Sequence, residues 1–541
     1  MQTRNKNHFL ERTNIMKKTL AILTAFSIIL TLTACNNSEK DSGFMNASPG
    51  GNVGILAHYS DSPYYESDKW RYAEFEHNEE YNITEESPFI NVLTSPLSTF
   101  SASPNTASYS NMRRFINQGQ LPPAQSIRIE ELVNYFSYDY PAPTANDNAP
   151  FSITAEIAVC PWNENNLLAM IGIQGEELRS ENRVPNNVVF LIDVSGSMDT
   201  PNRLPLVQQS FKMLVEQLDD NDIISIVTYA GSDKIVADSV SGGRKNELKN
   251  IIDNLSAGGS TAGSKGIQTA YELAEKNFIE GGNNRVILAT DGDFNVGISS
   301  QDGLKTLIEE KRDNGVFLSV LGYGMYNLKD STMENLAKYG NGNYAYIDTL
   351  EEAKKVLVDE FDATMYVIAK DLKLQVEFNP AVVGQYRLIG YDNRRMANED
   401  FDNDQKDAGD IGAGFSVTAF YEIILADGEL NDTSLRYQTA QLTDSDDFFT
   451  VKVRYKEPDS DVSSLVERTA GAEAFTENPS ETWNFGSAVA EFGLILAGSQ
   501  FKGSANTQSV VERASANLGH DIYALRQEFT RLVREFERIS G

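Results

Sequence analysis

The sequence predicts an α/β domain, a mostly parallel sheet with helices on both faces, inserted in or flanked by a β-sandwich-like region and followed by a C-terminal helical segment. Three observations carry this expectation. Apolar runs at 188–192, 223–229, 286–289 and 316–321 alternate with amphipathic stretches, as a sheet buried on both faces requires. Half-buried, alternating strands lie on either side of that block. The chain closes with apolar residues at helical spacing.

From the amino terminus, residues 1–15 precede a second methionine, Met16, and read as an upstream extension. Lys17 and Lys18 lead into a charge-free run, 19–34, that is too short for an ordinary spanning helix. It ends at Leu32-Thr33-Ala34-Cys35, which resembles a bacterial lipobox. That resemblance implies a signal peptide over 16–34, cleavage before Cys35 and lipidation of its thiol. Acyl chains would then tether the mature protein to a cell membrane or outer membrane, facing outside the cytoplasm. Residues 35–90 are polar, with "NNSEKDSGFMNASPGGN" and then acidic "EFEHNEEYNITEE", and suit a flexible tether.

The region 91–185 opens with two short helices separated by Pro122 and Pro123. Strands follow: "ITAEIAV" places Ile153, Ala155, Ile157 and Val159 on one face, and "LLAMIGI" comes next. The α/β domain spans 186–365. Leu204, Val207, Phe211, Leu214 and Leu218 line one helix face, while Ser331 and Glu334 are expected to form a capping box for a helix closing at Gly340. Alternation returns over 366–480 in Leu372, Leu374, Val376 and Phe378, in Val417, Ala419, Tyr421 and Ile423, and in Phe449, Val451, Val453 and Tyr455. Residues 481–541 read as helices, the last running from Asp521 with Ile522, Leu525, Phe529, Leu532, Val533 and Phe536 as its stripe.

The chain carries 46 basic and 77 acidic residues, a formal net charge of −31. Such a surface repels phosphate backbones, so nucleic acid is not an expected partner, and cations or basic proteins match better. With Cys35 acylated, Cys160 has no thiol left to pair with.

Three strand ends are rich in short oxygen side chains. "DVSGSM" sets Asp193, Ser195 and Ser197 at alternate positions, "AGGSTAG" holds Ser260 and Thr261 before a new helix, and Asp291 follows the apolar run 286–289. In open α/β sheets, ligands sit where strands end and cross to helices. Carboxylates and hydroxyls are hard donors, suited to Mg²⁺, Mn²⁺ or Ca²⁺ rather than zinc.

This constellation resembles the metal-ion-dependent adhesion site of von Willebrand factor type A domains, whose pattern is D-x-S-x-S, a distant Thr and a distant Asp. The resemblance implies a Rossmann-like domain in which Ser195, Ser197 and Thr261 offer hydroxyls, and Asp193 and Asp291 bind the ion directly or through water. Mg²⁺ is the expected ion, with a position left for a partner's Asp or Glu. Further stretches, "NTASYSNMRRFINQGQLPP", "RIEELVNYF", "PFSITAEIAVCPWN", "YRLIGYDNR", "DAGDIGAG" and "AVAEFGLIL", resemble a bacterial family of anchored von Willebrand A lipoproteins with an associated N-terminal domain and a C-terminal domain of unknown function.

Rival sites read less well. Asp400, Asp402 and Asp404 suggest calcium, but Gln405 and Ile411 stand where such a loop needs Gly and Glu. "GGSTAGSKG" lacks the phosphate-loop ending, and "VSGSM" is no nucleophile elbow. Cys160 and Trp162 are expected to pack. No catalysis and no small-molecule cofactor are expected. The expectation is a lipid-anchored envelope protein that binds protein partners through the metal site; the alternative is an assembly or chaperone-like subunit of an envelope complex.

Overall fold

The computed structural model describes residues 79–541 except 83–84, 104, 145–146, 180–182, 260–262, 293–300, 427–442 and 522. The signal peptide, Cys35, most of the tether, Ser260, Thr261 and Ile522 lie outside the described residues. No described helix is long and apolar enough to cross a membrane.

A six-stranded sheet forms the α/β domain, in the order Tyr344–Ile347, Val316–Tyr323, Asn283–Thr290, Asn186–Asp193, Ile223–Tyr229, Asp233–Ser241. All neighbours are parallel except the last pair, an antiparallel edge hairpin. Continuous apolar runs form these strands because both faces are covered. Val188, Phe190 and Ile192 pack against Leu204, Val207, Phe211 and Leu214 of helix Leu204–Gln217, and Phe190 stacks on Phe211 with centroids 4.4 Å apart. Val189, Leu191, Val286 and Leu288 face the other way, onto Ile267, Ala270, Tyr271 and Ala274 of helix Gly263–Lys276.

Strands from both flanks of that domain build two further sheets. One, wholly antiparallel, has the order Ile90–Asn91, Val383–Ile389, Ser416–Leu425, Leu167–Gly175, Phe151–Val159. The other has the order Gly409–Gly412, Val367–Phe378, Phe449–Lys456, Ser463–Ala470, with Leu97–Ser101 also paired to Val367–Phe378. Chain before residue 186 is therefore bonded, strand to strand, to chain after residue 365. Aromatic rings join the two sheets: Phe378 stacks on Tyr386 at 4.2 Å and Phe151 meets Tyr455 edge-on at 4.9 Å. Helices Glu481–Leu496 and Leu525–Ser540 bury Phe485, Val489, Phe492, Phe529, Leu532 and Val533 against Tyr109, Met112 and Ile116 of helix Ala107–Asn117.

Three local expectations are corrected. Helix Asp330–Tyr339 starts before Ser331, its N-cap is Lys329, and no side chain caps it. Glu334 is instead drawn to Arg394 at 3.0 Å and Asn393 at 2.9 Å, so a tertiary ion pair overrides the local capping bond. Strand Phe151–Val159 does not bury one face evenly: Ala158 packs with the C-terminal helices, Phe151 with the second sheet, and Val159 is exposed. It is the outermost strand of its sheet, and Ile153 and Ala155 line an open groove facing Ser463–Ala470. The last helix begins at Leu525, with Asp521 upstream accepting the N–H groups of Arg526 (3.1 Å) and Gln527 (2.9 Å).

Buried ion pairs fasten the α/β domain to its surroundings. Arg113 of helix Ala107–Asn117 donates to Asp348 at 2.9 Å, Glu352 at 2.8 Å and the Tyr135 hydroxyl at 2.8 Å, and pairs with Glu528 at 3.3 Å. Arg128 spans Glu131 at 2.6 Å and Asp330 at 2.5 Å. Removing one partner of such a pair leaves a buried charge uncompensated, which costs about 3–5 kcal/mol. Arg113→Met is expected to lower the urea midpoint by a corresponding amount, followed by the fluorescence of buried Trp162 and Trp483; an unchanged midpoint would show the junction to be held by apolar packing alone.

Candidate metal centre

Strand order reverses at Asn186–Asp193: the next strand in the chain, Ile223–Tyr229, lies on one side and Asn283–Thr290 on the other. This makes the carboxyl end of Asn186–Asp193 the switch point of the sheet, where a crevice must open because the connections diverge. The register pairs Asp193 with Tyr229 and Ile192 with Ala289, so Asp193 is level with Thr290 and Asp291 follows one position beyond, just past the end of its strand. Both aspartates are buried, at 0% and 1% exposure.

The chain after Asp193 folds into a tight turn, a short 3₁₀ segment over Gly196–Met198 pinned by the buried Met198. The Ser195 N–H donates to Asp193 Oδ1 at 2.8 Å, and the hydroxyls of Ser195 and Ser197 lie 2.9 Å apart. Two backbone bonds lace this turn to the next loop, Gly258 N–H to the Val194 carbonyl (2.8 Å) and Gly196 N–H to the Gly259 carbonyl (3.1 Å). Gly259 adopts φ +87°, a conformation that glycine reaches without strain. Asp193, Ser195, Ser197 and Asp291 are thus brought together. Thr261 lies outside the described residues, two positions beyond the laced Gly259.

Burial pushes the Asp193 carboxyl up to about 6; the nearby Asp291 charge adds to this, and hydrogen bonds from Ser195 oppose it. A side-chain hydrogen bond from buried Tyr229, the residue paired with Asp193 across the sheet, opposes it as well. A buried carboxylate in that setting is stabilised by a cation. The donors fit a hard divalent ion: two carboxylates and two hydroxyls in one crevice, all oxygen. Among the described residues no group of three or more His, Cys, Asp or Glu gathers here or elsewhere, so any ion at this point would rely on the hydroxyls as well as the two carboxylates.

Arg203 belongs to the site and carried no role in the sequence. Its Nη1 lies 3.1 Å from Asp291 Oδ2 and donates to the Ser197 carbonyl at 2.5 Å, while Nη2 donates to the Met325 carbonyl at 3.0 Å. One guanidinium thereby ties three loops together. No local signal marked Arg203, because its partner Asp291 is 88 positions away in the chain. Gly324, at φ +82°, makes room for it, since a Cβ there would sit 2.4 Å from Nε. The same loop is held from the start of the described chain, by Tyr326 N–H to Glu79 at 2.9 Å and Glu80 N–H to the Leu328 carbonyl at 3.0 Å.

The rival residues are otherwise engaged. Asp402 and Asp404 pair with Arg454 at 3.3 and 3.0 Å, and Asp400 lies 3.7 Å from Lys406. Cys160 is free and buried, its thiol pushed up by burial, and Trp162 packs fully inside with its indole N–H toward Glu422 at 3.5 Å.

A parallel sheet bearing D-x-S-x-S at its switch point and a second aspartate on the neighbouring strand end defines a von Willebrand factor type A domain, and the family model of that description matches residues 187–360. Models described as "von Willebrand factor" and "Uncharacterized protein YfbK, C-terminal" match 75–170 and 363–539. The protein named "Uncharacterized protein YfbK" from Escherichia coli K12 is 43% identical over 463 residues, covering 84% of this chain and 80% of that one. The chain belongs to the YfbK family. Inter-alpha-trypsin inhibitor heavy chain H3 from Homo sapiens is 26% identical over 167 residues, 29% of this chain and 18% of its own length. Among solved structures, a von Willebrand factor type A protein from Catenulispora acidiphila is 13% identical with a TM-score of 0.41, covering 72% of this chain and 92% of that one.

If the crevice holds a divalent ion, Asp193→Ala and Asp291→Ala each remove a charged ligand. Each is expected to weaken Mg²⁺ or Mn²⁺ binding by tenfold or more in titration calorimetry, since tenfold corresponds to only about 1.4 kcal/mol. Asp402→Ala is expected to leave it unchanged.

Proposed function

We propose that this is a lipid-anchored cell-envelope protein that binds protein partners through a divalent cation, Mg²⁺ ahead of Mn²⁺ or Ca²⁺, held by Asp193, Ser195, Ser197, Thr261 and Asp291. The observation that carries this reading is the burial of two aspartates at one switch point, lined with hydroxyls. When bound, the ion supplies a Lewis-acidic position for an Asp or Glu carboxylate on the partner. The protein's own residues do the rest: the Ser195 N–H orients Asp193, and the bonds between Val194, Gly196 and the Gly258-Gly259 turn hold the hydroxyl-bearing loop in place. Thr261 enters by its place in the motif. The lipid anchor is read from the resemblance of Leu32-Thr33-Ala34-Cys35 to a lipobox, which supports an envelope location facing outside the cytoplasm.

The crevice is built for holding rather than turnover. Among the described residues, two carboxylates and two hydroxyls lie there without the imidazole base that a serine nucleophile needs, which supports a binding role over hydrolysis.

The test is a capture experiment with the full chain in detergent against native envelope extracts. The expected outcome is a partner retained in Mg²⁺, released by EDTA and lost with Asp291→Ala. Equal capture under all three conditions would overturn the metal-dependent mechanism.

A further inference from the structure

Resting on the reading of the Asp193–Asp291 crevice as a metal site, we infer that Arg203 is a built-in competitor of the metal, a tethered cation that shares Asp291 with the divalent ion and sets how tightly that ion is held. The guanidinium is placed for this by contacts from three loops. Nη1 lies 3.1 Å from Asp291 Oδ2 and bonds the carbonyl of Ser197, itself one of the hydroxyl donors. Nη2 bonds Met325. The side chain is mostly enclosed, at 15% exposure, and Asp291 is fully enclosed, so solvent screens the pair only weakly.

Two features argue that this placement is a property of the fold. Arg203 occupies an N-cap, where the helix dipole opposes its charge. Gly324 has a backbone turn that leaves the space a Cβ would take from Nε, and the Tyr346 hydroxyl fixes that turn by donating to the Gly324 carbonyl at 2.5 Å. The physical consequence follows from charge. A divalent ion that draws on Asp291 must weaken the pair with Arg203 and accept a positive neighbour. Affinity is therefore reduced by the free energy of the pair it disturbs. Loss of the guanidinium removes both penalties at once.

Arg203 is thus a positioning and tuning residue that touches the site's carboxylate and opposes the ion. It also connects the site to the Met325 loop, which Glu79 and Glu80 hold where the described chain begins.

The experiment is Mn²⁺ titration of the full chain by electron paramagnetic resonance, with melting temperature measured in EDTA and in saturating Mn²⁺, for wild type, Arg203→Met and Arg203→Lys. Arg203→Met is expected to bind Mn²⁺ about tenfold more tightly. It is expected to melt below wild type in EDTA, where Asp291 has lost its counter-charge, and to recover that deficit in Mn²⁺. Arg203→Lys, which keeps the charge, is expected to stay nearer wild type. Binding by wild type with unchanged or weaker binding by Arg203→Met, or a melting deficit of equal size with and without Mn²⁺, would reduce Arg203 to a structural role and overturn the inference alone. Failure of both wild type and Arg203→Met to bind Mn²⁺ would overturn the metal-site reading and this inference with it.

Discussion

The parallel pairing of Asn186–Asp193 with a strand on each side is the constraint on which the rest depends. A strand so placed is buried on both faces and both edges, so its end is the one point where its connection can leave the sheet. The connection to Ile223–Tyr229 goes one way and Asn283–Thr290 arrives from the other, the arrangement at which a crevice is expected in an open α/β sheet. Asp193 closes one strand, and Asp291 is the first residue after the end of its neighbour. Both are buried, and a buried carboxylate is costly unless hydrogen bonds or a cation offset its charge. The fold thereby creates a demand for positive charge, met in part by Arg203.

Around this point the molecule forms a frame that joins distant stretches of chain. Leu97–Ser101 and Leu167–Gly175 come before the α/β domain, yet their strand partners, Val367–Phe378 and Ser416–Leu425, come after it. Both ends of the α/β domain are thus held within one pair of sheets. Arg113, Arg128 and Arg394 then reach from the flanking regions into Asp348, Glu352, Asp330 and Glu334 of that domain. Buried ion pairs of this kind contribute orientation more surely than stability, because desolvation offsets much of their attraction. Here they fix the helices around the sheet and, through Glu79 and Tyr326, the loop that carries Met325 beside Arg203.

What the sequence disclosed follows from how local each feature is. The four apolar runs were legible because a doubly covered strand has no polar face to hide it among loops. Asp193, Ser195 and Ser197 were legible as a unit because five consecutive residues contain all three. Asp291 was readable only as a carboxylate following an apolar strand, and the switch-point register supplies its neighbour. Arg203 was passed over because its partner is 88 positions away, at the end of another strand. The capping role expected of Glu334 failed for the same kind of reason: a local bond worth about 1 kcal/mol lost to a buried guanidinium from Arg394, which periodicity cannot reveal. The strand pairing across the α/β domain was inferable from the presence of strands on both flanks, but its register was not, since it depends on contacts between residues hundreds of positions apart.

The central claim is that Asp193 and Asp291, with the hydroxyls of Ser195 and Ser197, enclose one divalent ion. Crystals of the protein grown with Mn²⁺ and measured at the manganese absorption edge test it directly. The account predicts an anomalous peak within coordination distance of those side chains. No peak in that crevice, or a peak found only at the Asp400–Asp404 loop, would contradict it.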